Sequence, residues 1–284
     1  MLISGAASAA DPFGVLDRTL PSPAADLRPA AVCETAALPG TVTLVRAVER
    51  ALCANPATRN AWLTARLRAA ELGLATSAYL PDLTLGGSLA RNGDSMLPND
   101  HTAWRFGLDA QYLLYDFGGR GARRDAAESL LAASLASQDA TVRVVYLQTV
   151  TAYFNLLTAQ AAIVAANEAE ASALAALKAA AARVEVGSGI PADRLQAKTV
   201  HTQRQIERIR AEGLAARLQG ELAALMGDAS QTRFTVVDDD RAFSQTLDMS
   251  SAVDTLIAAA RSRRPELRAA EATLLAREAG VRSA

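Results

Sequence analysis

Apolar and polar residues alternate in two neighbouring segments of this chain, a period typical of β-strands with one apolar face. In the first segment, Leu83, Leu85 and Leu89 share one face, and Thr84, Gly86 and Ser88 share the other. A polar loop at 91–102 leads to the second segment. Its apolar face holds Trp104, Phe106, Leu108, Ala110, Tyr112 and Leu114.

The second segment is about ten residues long or slightly longer, which is the length of a tilted membrane-spanning strand. We therefore predict a transmembrane β-hairpin at 83–117, with lipid-facing residues at Trp104, Phe106, Leu108, Tyr112 and Leu114. The alternative is a half-buried hairpin in a soluble sheet. That alternative requires a hydrophobic core that covers the apolar face. It is disfavoured because the rest of the sequence has a helical period.

Helical periodicity predicts one helix at 42–79, interrupted at Asn55-Pro56 because proline removes a helical hydrogen bond. A second helix is predicted from Gly121 to about Val186. It would be roughly 100 Å long at 1.5 Å per residue, which indicates a coiled-coil-like array. Its uncharged part, 144–167, is long enough to cross a bilayer. Because Gln148, Thr151 and Asn155 form a polar stripe on it, we interpret it as an amphipathic packing helix.

The stretch GSGIP at 187–191 separates this long helix from a further helix predicted at 193–226. Gly187 is placed to end the long helix in a left-handed turn. Asp193, with Gln196 three residues later, resembles a capping box at the next helix start. The pattern predicts an antiparallel helical hairpin at 118–227 with its tip at 187–193. A connection at 228–250 follows, with a strand-like piece RFTVV and three consecutive aspartates that we interpret as a solvated loop.

An internal repeat relates residues 44–74 to 253–283, and the two stretches align without gaps. Pro56 aligns with Pro265, and Arg59 aligns with Arg268. We interpret 42–82 as the first helix of repeat 1 and 251–284 as the start of repeat 2. The first copy leads into a hairpin, so we expect a second hairpin beyond residue 284 in a longer protein.

Composition and charge exclude several classes of function. Lys and Arg number 29 against 30 Asp and Glu, and this balance argues against a nucleic-acid partner. His101 in a loop and His201 on a helix have no partners at metal-ligand spacing, so each is interpreted as a lone surface histidine. No P-loop or GxSxG is present. We therefore predict no enzyme activity, no metal and no cofactor.

The glycines of LLYDFGGRGARR raise the alternative of a phosphate-binding turn. They follow an alternating strand and do not form GxGxxG, so a dinucleotide site is disfavoured. We predict instead that Gly118, Gly119 and Gly121 let the backbone bend sharply between strand and helix.

The N-terminal region has features of an exported protein. Ala7-Ser8-Ala9 matches a signal-peptidase cleavage pattern, so we interpret 1–10 as a residual signal peptide and 11–41 as an extended leader. In an exported protein the two cysteines, Cys33 and Cys53, favour a disulfide over two unpaired thiols. Such a bond would stabilise the fold by roughly 3 kcal/mol.

Several stretches together resemble the TolC family of outer-membrane efflux and secretion channels. They are AVERALCANPATRNAW, AYLPDL, LLYDFGGRGARRDAAE, TVTAYFNLLTAQ, VGSGIPADRLQA and LAALMG, in this order. The resemblance covers about 43–227 and resumes at 253. The form GSGIPADRLQA also resembles the branch that serves type I protein secretion.

The resemblance implies a fold that is mainly α, with long helices forming an α-barrel and strands of a trimeric outer-membrane β-barrel. It implies a passive duct in a tripartite export system of a Gram-negative cell, carrying small molecules or a secreted polypeptide. The implied partners are two further copies of the chain, outer-membrane lipid, a periplasmic membrane-fusion adaptor and an inner-membrane transporter. A periplasmic adaptor or a coiled-coil scaffold without a channel is the alternative.

Two sets of residues acquire expected roles from this resemblance. The adaptor would dock at the tip, formed by Val186, Gly187, Ser188, Gly189, Ile190, Pro191, Asp193 and Leu195. The polar stripe of Gln148, Thr151 and Asn155 would line the tunnel; the alternative is buried hydrogen bonding between helices.

Overall fold

The computed structural model describes residues 40–92, 101–238 and 253–283. Helices dominate them, in the order β1 (Thr41–Val42), α1 (Leu44–Ala54), α2 (Pro56–Ser77), β2 (Asp82–Asn92), β3 (His101–Gln111), α3 (Gly119–Glu185), α4 (Pro191–Leu225), β4 (Thr235–Val236), α5 (Val253–Arg263) and α6 (Pro265–Arg282). The predicted signal remnant and residues 11–39 of the predicted leader, including Cys33, lie outside the described residues, as do Asp239 and Asp240. Thr41, predicted to end the leader, and Val42, predicted to begin the helix, instead form β1.

The described residues fall into two compact units. The strand unit holds 63–92, 101–137 and 265–283, and the tip unit holds 40–62, 138–238 and 253–264. In the strand unit, Ala69 and Leu72 of α2 pack against Leu131 of α3. The core of the tip unit is larger, and its fully buried residues include Tyr153, Leu156, Leu222 and Met226.

β2 and β3 form an antiparallel hairpin whose pairing runs from Asp82 opposite Gln111 to Asn92 opposite His101. The predicted 91–102 loop is therefore too long, because Arg91, Asn92, His101 and Thr102 lie in the strands. His101 begins β3 rather than lying in a loop. At the other end the ladder stops beside Pro81, since proline has no N–H to donate.

This early end of the ladder corrects the prediction for two residues. Tyr112 and Leu114 lie beyond the end of β3 and are not part of the strand. Trp104, Phe106 and Leu108 lie within β3 as predicted, opposite Leu89, Gly87 and Leu85.

The two repeat copies break into two helices at the same aligned position. α1 ends and α2 begins around Asn55, and α5 ends and α6 begins around Arg264, each followed by the aligned proline. The residue before each proline donates its N–H to the carbonyl four residues earlier, Asn55 to Ala51 and Arg264 to Ala260. The break is therefore a property of both copies, although the side chain before the proline differs.

A joint in the tip unit connects α1 and α2 to the end of α4. Asn55 Nδ2 donates to the carbonyl oxygen of Leu225 at 3.0 Å, while its Oδ1 accepts from Ala57 N at 2.8 Å. Gly227 ends α4 with φ +74, and an added Cβ would lie 2.7 Å from the Ala54 carbonyl oxygen. Only glycine therefore fits this position without a shift of the backbone.

Beside the joint, Arg50 of α1 forms a two-pronged ion pair with Asp228. The Nε–Oδ2 and Nη2–Oδ1 distances are both 2.6 Å, and both side chains are largely buried. This hydrogen bonding raises the pKa of Arg50 above its usual value. The pair fixes the chain direction just after α4.

A two-stranded parallel sheet, β1 with β4, closes the tip unit, and this pairing was not predicted from sequence. Thr41 faces Thr235, and Val42 faces Val236. The hydroxyl of Tyr153, from α3, lies 2.9 Å from the carbonyl oxygen of Val42 and 2.7 Å from that of Val237. One buried tyrosine thus holds both strands against the long helix.

Candidate functional site: hairpin, elbow and tip

The hairpin has one apolar and one polar face where residues 83–89 pair with 104–110. The apolar face pairs Leu83 with Ala110, Leu85 with Leu108, Gly87 with Phe106 and Leu89 with Trp104. The polar face pairs Thr84 with Asp109 and Ser88 with Arg105. The apolar face is uncovered, since every large side chain on it is at least 64% exposed. Nothing in the described residues supplies the core that a soluble sheet would need.

Phe106 dominates the middle of the apolar face. Its ring lies 5.5 Å from that of Trp104, between ring centroids, and it extends over Gly87. A Cβ at Gly87 would meet the Phe106 ring at 3.2 Å, so the missing side chain makes room for the aromatic residue.

The chain turns from β3 into α3 at an elbow, at residues 112–121. The backbone has positive φ at Phe117 (+54) and Gly118 (+93), while Gly119 and Gly121 already belong to α3. The prediction of a glycine bend is therefore confirmed at Gly118, but the bend also includes Phe117, and Gly119 and Gly121 are not part of it. At Gly121 an added Cβ would make only an ordinary contact, 3.6 Å from the Tyr79 hydroxyl, so the fold does not require glycine there.

Asp116, which was not among the predicted site residues, caps α3 at this elbow. Its Oδ2 accepts from Arg120 N at 2.6 Å and from Arg120 Nε at 3.2 Å. The backbone hydrogen bond from Arg120 is the main reason that the pKa of Asp116 is lowered. Asp two residues before a glycine pair at a helix start is the sequence signal that identifies this cap.

Arg120 connects the start of α3 to the end of α2. Its guanidinium lies 5.2 Å from the centre of the Tyr79 ring, and Nη1 is 3.4 Å from the Ala78 carbonyl oxygen. The ion pair with Asp116 and this stacking hold the side chain almost fully buried.

The tip between α3 and α4 is a Schellman turn. Ser188 N donates to the Arg183 carbonyl at 2.9 Å, Gly187 N donates to the Val184 carbonyl at 3.1 Å, and Gly187 has φ +74. This confirms the predicted left-handed glycine. At Gly189, an added Cβ would lie 3.0 Å from the Cβ of Arg183, so the turn closes tightly on the end of α3.

The start of α4 differs from the prediction. The helix begins at Pro191, its N-cap Ile190 makes no side-chain cap bond, and Asp193 is already inside the first turn. The predicted capping box at Asp193 and Gln196 is therefore wrong. Proline starts the helix because its φ is preset and its missing N–H needs no partner. Asp193 still complements the helix dipole.

Exposed apolar side chains surround the tip. Val186 is 77% exposed, Ile190 59% and Leu195 60%. Pro191 and Asp193 are exposed beside them. The predicted docking residues are thus brought together on one turn and the helix ends that flank it.

The polar stripe of α3 lies on its exposed side. Gln148, Thr151 and Asn155 are exposed, whereas Val145, Tyr153 and Leu156 of the same helix are buried. Within one chain, the stripe is thus not buried between helices. Among the described helices α3 alone is long and apolar enough to span a membrane by length and composition, with 28% of its most apolar window buried.

A charged cluster between α3 and α4 was also missed from sequence. Glu170 accepts from Arg208 Nε at 2.6 Å, Arg208 Nη1 reaches Glu212 at 2.6 Å, and His201 Nε2 is 3.8 Å from Glu170. The Arg208 hydrogen bond lowers the pKa of Glu170, and that bond in turn raises the pKa of Arg208. His201 is therefore not the lone surface histidine that the sequence suggested.

Cys53, on α1, is bonded in a disulfide. Its expected partner, Cys33, lies outside the described residues, so the pairing stays a prediction. Within 40–92, 101–238 and 253–283, no group of histidine, cysteine and carboxylate side chains could hold a metal ion.

A protein-family model described as outer membrane efflux protein matches residues 47–228. The chain belongs to this family. Members of the family are passive channels and not enzymes, which confirms the prediction of no enzyme activity. The family also confirms the predicted location in the outer membrane of a Gram-negative cell, extending into the periplasm.

Protein CyaE of Bordetella pertussis is 29% identical to the chain over 250 residues, covering 84% of the chain and 51% of that relative. The chain thus spans about half the length of the curated relative. It is also similar to the solved Campylobacter jejuni CmeC outer membrane channel (TM-score 0.70, 21% identity, 84% of this chain and 52% of that one).

A further similarity is to the Neisseria gonorrhoeae MtrE outer membrane channel (TM-score 0.66, 22% identity, 84% of this chain and 54% of that one). At 21% and 22% identity, the similarity to these solved structures is evidence for the fold alone. They confirm the predicted class, mainly helical with a β-hairpin of an outer-membrane channel.

Proposed function

We propose that the protein acts as the outer-membrane duct of a tripartite export system. The observation that carries the proposal is the uncovered apolar face of β2 and β3, backed by a polar face of matching length. A barrel wall needs lipid on one side and water on the other, and this hairpin has the corresponding two faces. Family membership supports the same conclusion.

The hairpin is tested by placing an arginine on each face. Phe106→Arg puts a charge on the apolar face, where an arginine near the bilayer midplane costs roughly 2–4 kcal/mol. Thr84→Arg is the control on the polar face, opposite Asp109. We expect Thr84→Arg to reach the outer membrane and Phe106→Arg to be lost from it. Recovery of Phe106→Arg in the outer membrane at wild-type level, with wild-type conductance in planar bilayers, would overturn the proposal.

We propose that three copies assemble around a shared tunnel, with Gln148, Thr151 and Asn155 on its wall. Their exposure in one chain supports this arrangement, since exposed polar groups tolerate a water-filled lumen. Thr151→Cys in intact cells tests it, using a membrane-impermeant thiol reagent after disulfides have formed. Labelling in the assembled trimer supports a wet wall; protection in the trimer together with labelling of the monomer would place the stripe in an interface.

The adaptor is proposed to dock on Val186, Ile190 and Leu195. Exposed apolar side chains on a rigid turn suit helix-tip packing against another helical hairpin. Because Gly187 and Gly189 cannot change without straining the turn, the test variant is Ile190→Glu, with Gln196→Glu as the charge-matched control. A photo-reactive residue at 186 should give an adaptor adduct that Ile190→Glu removes and Gln196→Glu retains. Equal adduct yields in both variants would contradict docking at Ile190.

The cargo is proposed to be a secreted polypeptide or small molecules, driven by an inner-membrane transporter. No described feature of the hairpin selects one cargo chemistry. The polar face carries the basic side chain Arg105 and two acidic side chains, Asp82 and Asp109, with the small pair Gly86 and Gly107 between them. Such a wall passes substrates of either charge without retaining them.

A further inference from the structure

The segment between β3 and the first turn of α3 exposes a contiguous set of large apolar side chains. Its members are Tyr112, Leu113, Leu114, Tyr115 and Phe117, all exposed by half or more. Tyr115 and Phe117 contact each other edge to face, with ring centroids 4.7 Å apart, yet Phe117 remains 90% exposed. An apolar patch of this kind marks a surface that contacts a partner or a membrane.

The exposed ring of Phe117 strengthens this conclusion. Its φ of +54 lies in the left-handed region, which glycine and asparagine adopt more readily than an aromatic residue. Phe117 thus combines an unfavourable backbone with a ring left in water. The bend into α3 accounts for the backbone conformation, whereas nothing within the described residues accounts for the exposed ring, so the ring indicates a contact outside the chain.

Two arginines follow this patch on the first turns of α3. Arg123 and Arg124 are exposed, and Arg123 Nε donates to the Gly119 carbonyl at 3.3 Å. That bond directs the Arg123 guanidinium back toward the strand end of the helix. Neither arginine forms an ion pair within the part of the chain that the structure describes.

Neighbouring charges at the elbow are already paired. Asp116 is bound to Arg120, and Asp125 lies 3.8 Å from Arg282. Glu128 lies one turn further along α3 and is exposed. Arg123 and Arg124 therefore give the start of α3 a local positive surplus directly beside the aromatic patch.

We propose that residues 112–124, the elbow surface, bind anionic glycerophospholipids of the leaflet that faces the periplasm. The proposal rests on the proposed function, because it requires β2 and β3 to lie in the bilayer. Tyrosine and phenylalanine rings would occupy the boundary between headgroups and acyl chains. The guanidinium groups of Arg123 and Arg124 would reach the phosphodiester, which they match in charge and geometry.

A lipid fits this surface better than a second protein. The patch directly follows the last residue of a strand whose apolar face is already outward, so the two apolar surfaces are continuous in sequence. Basic side chains placed just past a membrane-spanning segment bind anionic headgroups through the same electrostatics.

The test measures lipid binding by the full chain in mild detergent, using native mass spectrometry. Phosphatidylglycerol and phosphatidylcholine of identical acyl chains are titrated against wild type and against Arg123→Gln/Arg124→Gln. We expect the double variant to bind phosphatidylglycerol about 25-fold more weakly, at about fivefold per arginine, and to bind phosphatidylcholine as wild type does. Arg210→Gln/Arg217→Gln, which removes two exposed arginines of α4, should bind both lipids like wild type.

A third variant tests the apolar half. Phe117→Asn keeps a residue suited to the left-handed backbone and removes the ring, so both lipids should bind more weakly. Unchanged phosphatidylglycerol binding by the double arginine variant would overturn the proposal. Displacement of phosphatidylglycerol by soluble glycerol 3-phosphate at equal concentration would also overturn it, because the surface would then recognise a free anion.

Failure of this inference can be told apart from failure of the proposed function. If the wild-type protein is found in the outer membrane and conducts ions but binds both lipids equally, the lipid-site proposal is wrong and the duct proposal stands. If the wild-type protein is absent from the outer membrane, both the duct proposal and the lipid-site proposal are wrong.

Discussion

The carboxamide of Asn55 lies 3.0 Å from the carbonyl oxygen of Leu225, and this contact joins the α1–α2 break to the last turn of α4. The same side chain caps α2 through Ala57 N. Its two ends thus satisfy backbone groups at two helix termini that have no partner within their own helices. A break that looks like a local proline effect is therefore also a tertiary joint.

Replacement of Asn55 by alanine should destabilise the protein by about 1–3 kcal/mol, because one helix cap is lost and one carbonyl is left without its donor. Urea unfolding in detergent, followed by circular dichroism, measures the change. Asn155→Ala, at an exposed position of α3, is the matched control and should change the free energy of unfolding little. Equal effects of both variants would mean that the joint contributes nothing.

Gly227→Ala should destabilise by at least about 2 kcal/mol, because a side chain is strained at φ +74 and would meet Ala54 at under 3 Å. Gly213→Ala is the control variant, for which we expect a stability change of the opposite sign. Gly213 lies in the interior of α4 with nothing within 4 Å of an added Cβ, so alanine there should stabilise by about 0.5–1 kcal/mol. The same unfolding measurement applies, and a stabilised Gly227→Ala would contradict the packing of α4 against α1.

Periodicity predicted the helices and the hairpin well because each element buries or exposes its own face. The alternation at 83–89 and 104–110 fixes which residues share a face, and the observed register agrees. The helix breaks at Pro56 and Pro265 were also predictable from sequence, because the proline ring itself removes a helical hydrogen bond.

Contacts between distant segments could not be predicted in the same way. The β1–β4 pair has two residues per strand, too few for a period, and it depends on Tyr153 from α3. The Arg208–Glu170 ion pair depends on how α3 and α4 are aligned along each other, and this register cannot be read from the sequence. The roles of the tip, the stripe and the lipid-facing strand stay predictions, because each depends on a partner.

Tyr153→Phe should reduce the free energy of unfolding by about 1–3 kcal/mol, because the buried Val42 carbonyl and the partly buried carbonyl and N–H of Val237 lose the hydroxyl as a partner. Hydrogen exchange at the amides of β1 and β4 should quicken more than exchange in the strand unit. Tyr146→Phe, at a partly exposed position of the same helix, should leave those amides unchanged. Unaltered protection of β1 and β4 in Tyr153→Phe would show that the hydroxyl does not hold the two strands.

Acid should weaken the helical hairpin through Glu170. The hydrogen bond from Arg208 lowers the pKa of this carboxylate below its ordinary value of about 4.3, so the charged form is favoured in the folded state. A group with a lowered folded pKa stabilises above its unfolded pKa, and that stabilisation is lost as the pH falls through the folded value. At neutral pH, wild type should therefore be more stable than Glu170→Gln, and the difference should shrink below about pH 4.3.

The measurement is hydrogen exchange of α3 and α4 amides around residues 170 and 208, compared between neutral and acid pH after correction for intrinsic exchange rates. Glu221→Gln is the control, since Glu221 is exposed and its nearest arginine contact is 4.0 Å. Exposed ion pairs contribute little, so Glu221→Gln should match wild type at both pH values. A gap between wild type and Glu170→Gln that stays constant into acid would mean that the charge on Glu170 does not stabilise the hairpin, and that its packing does.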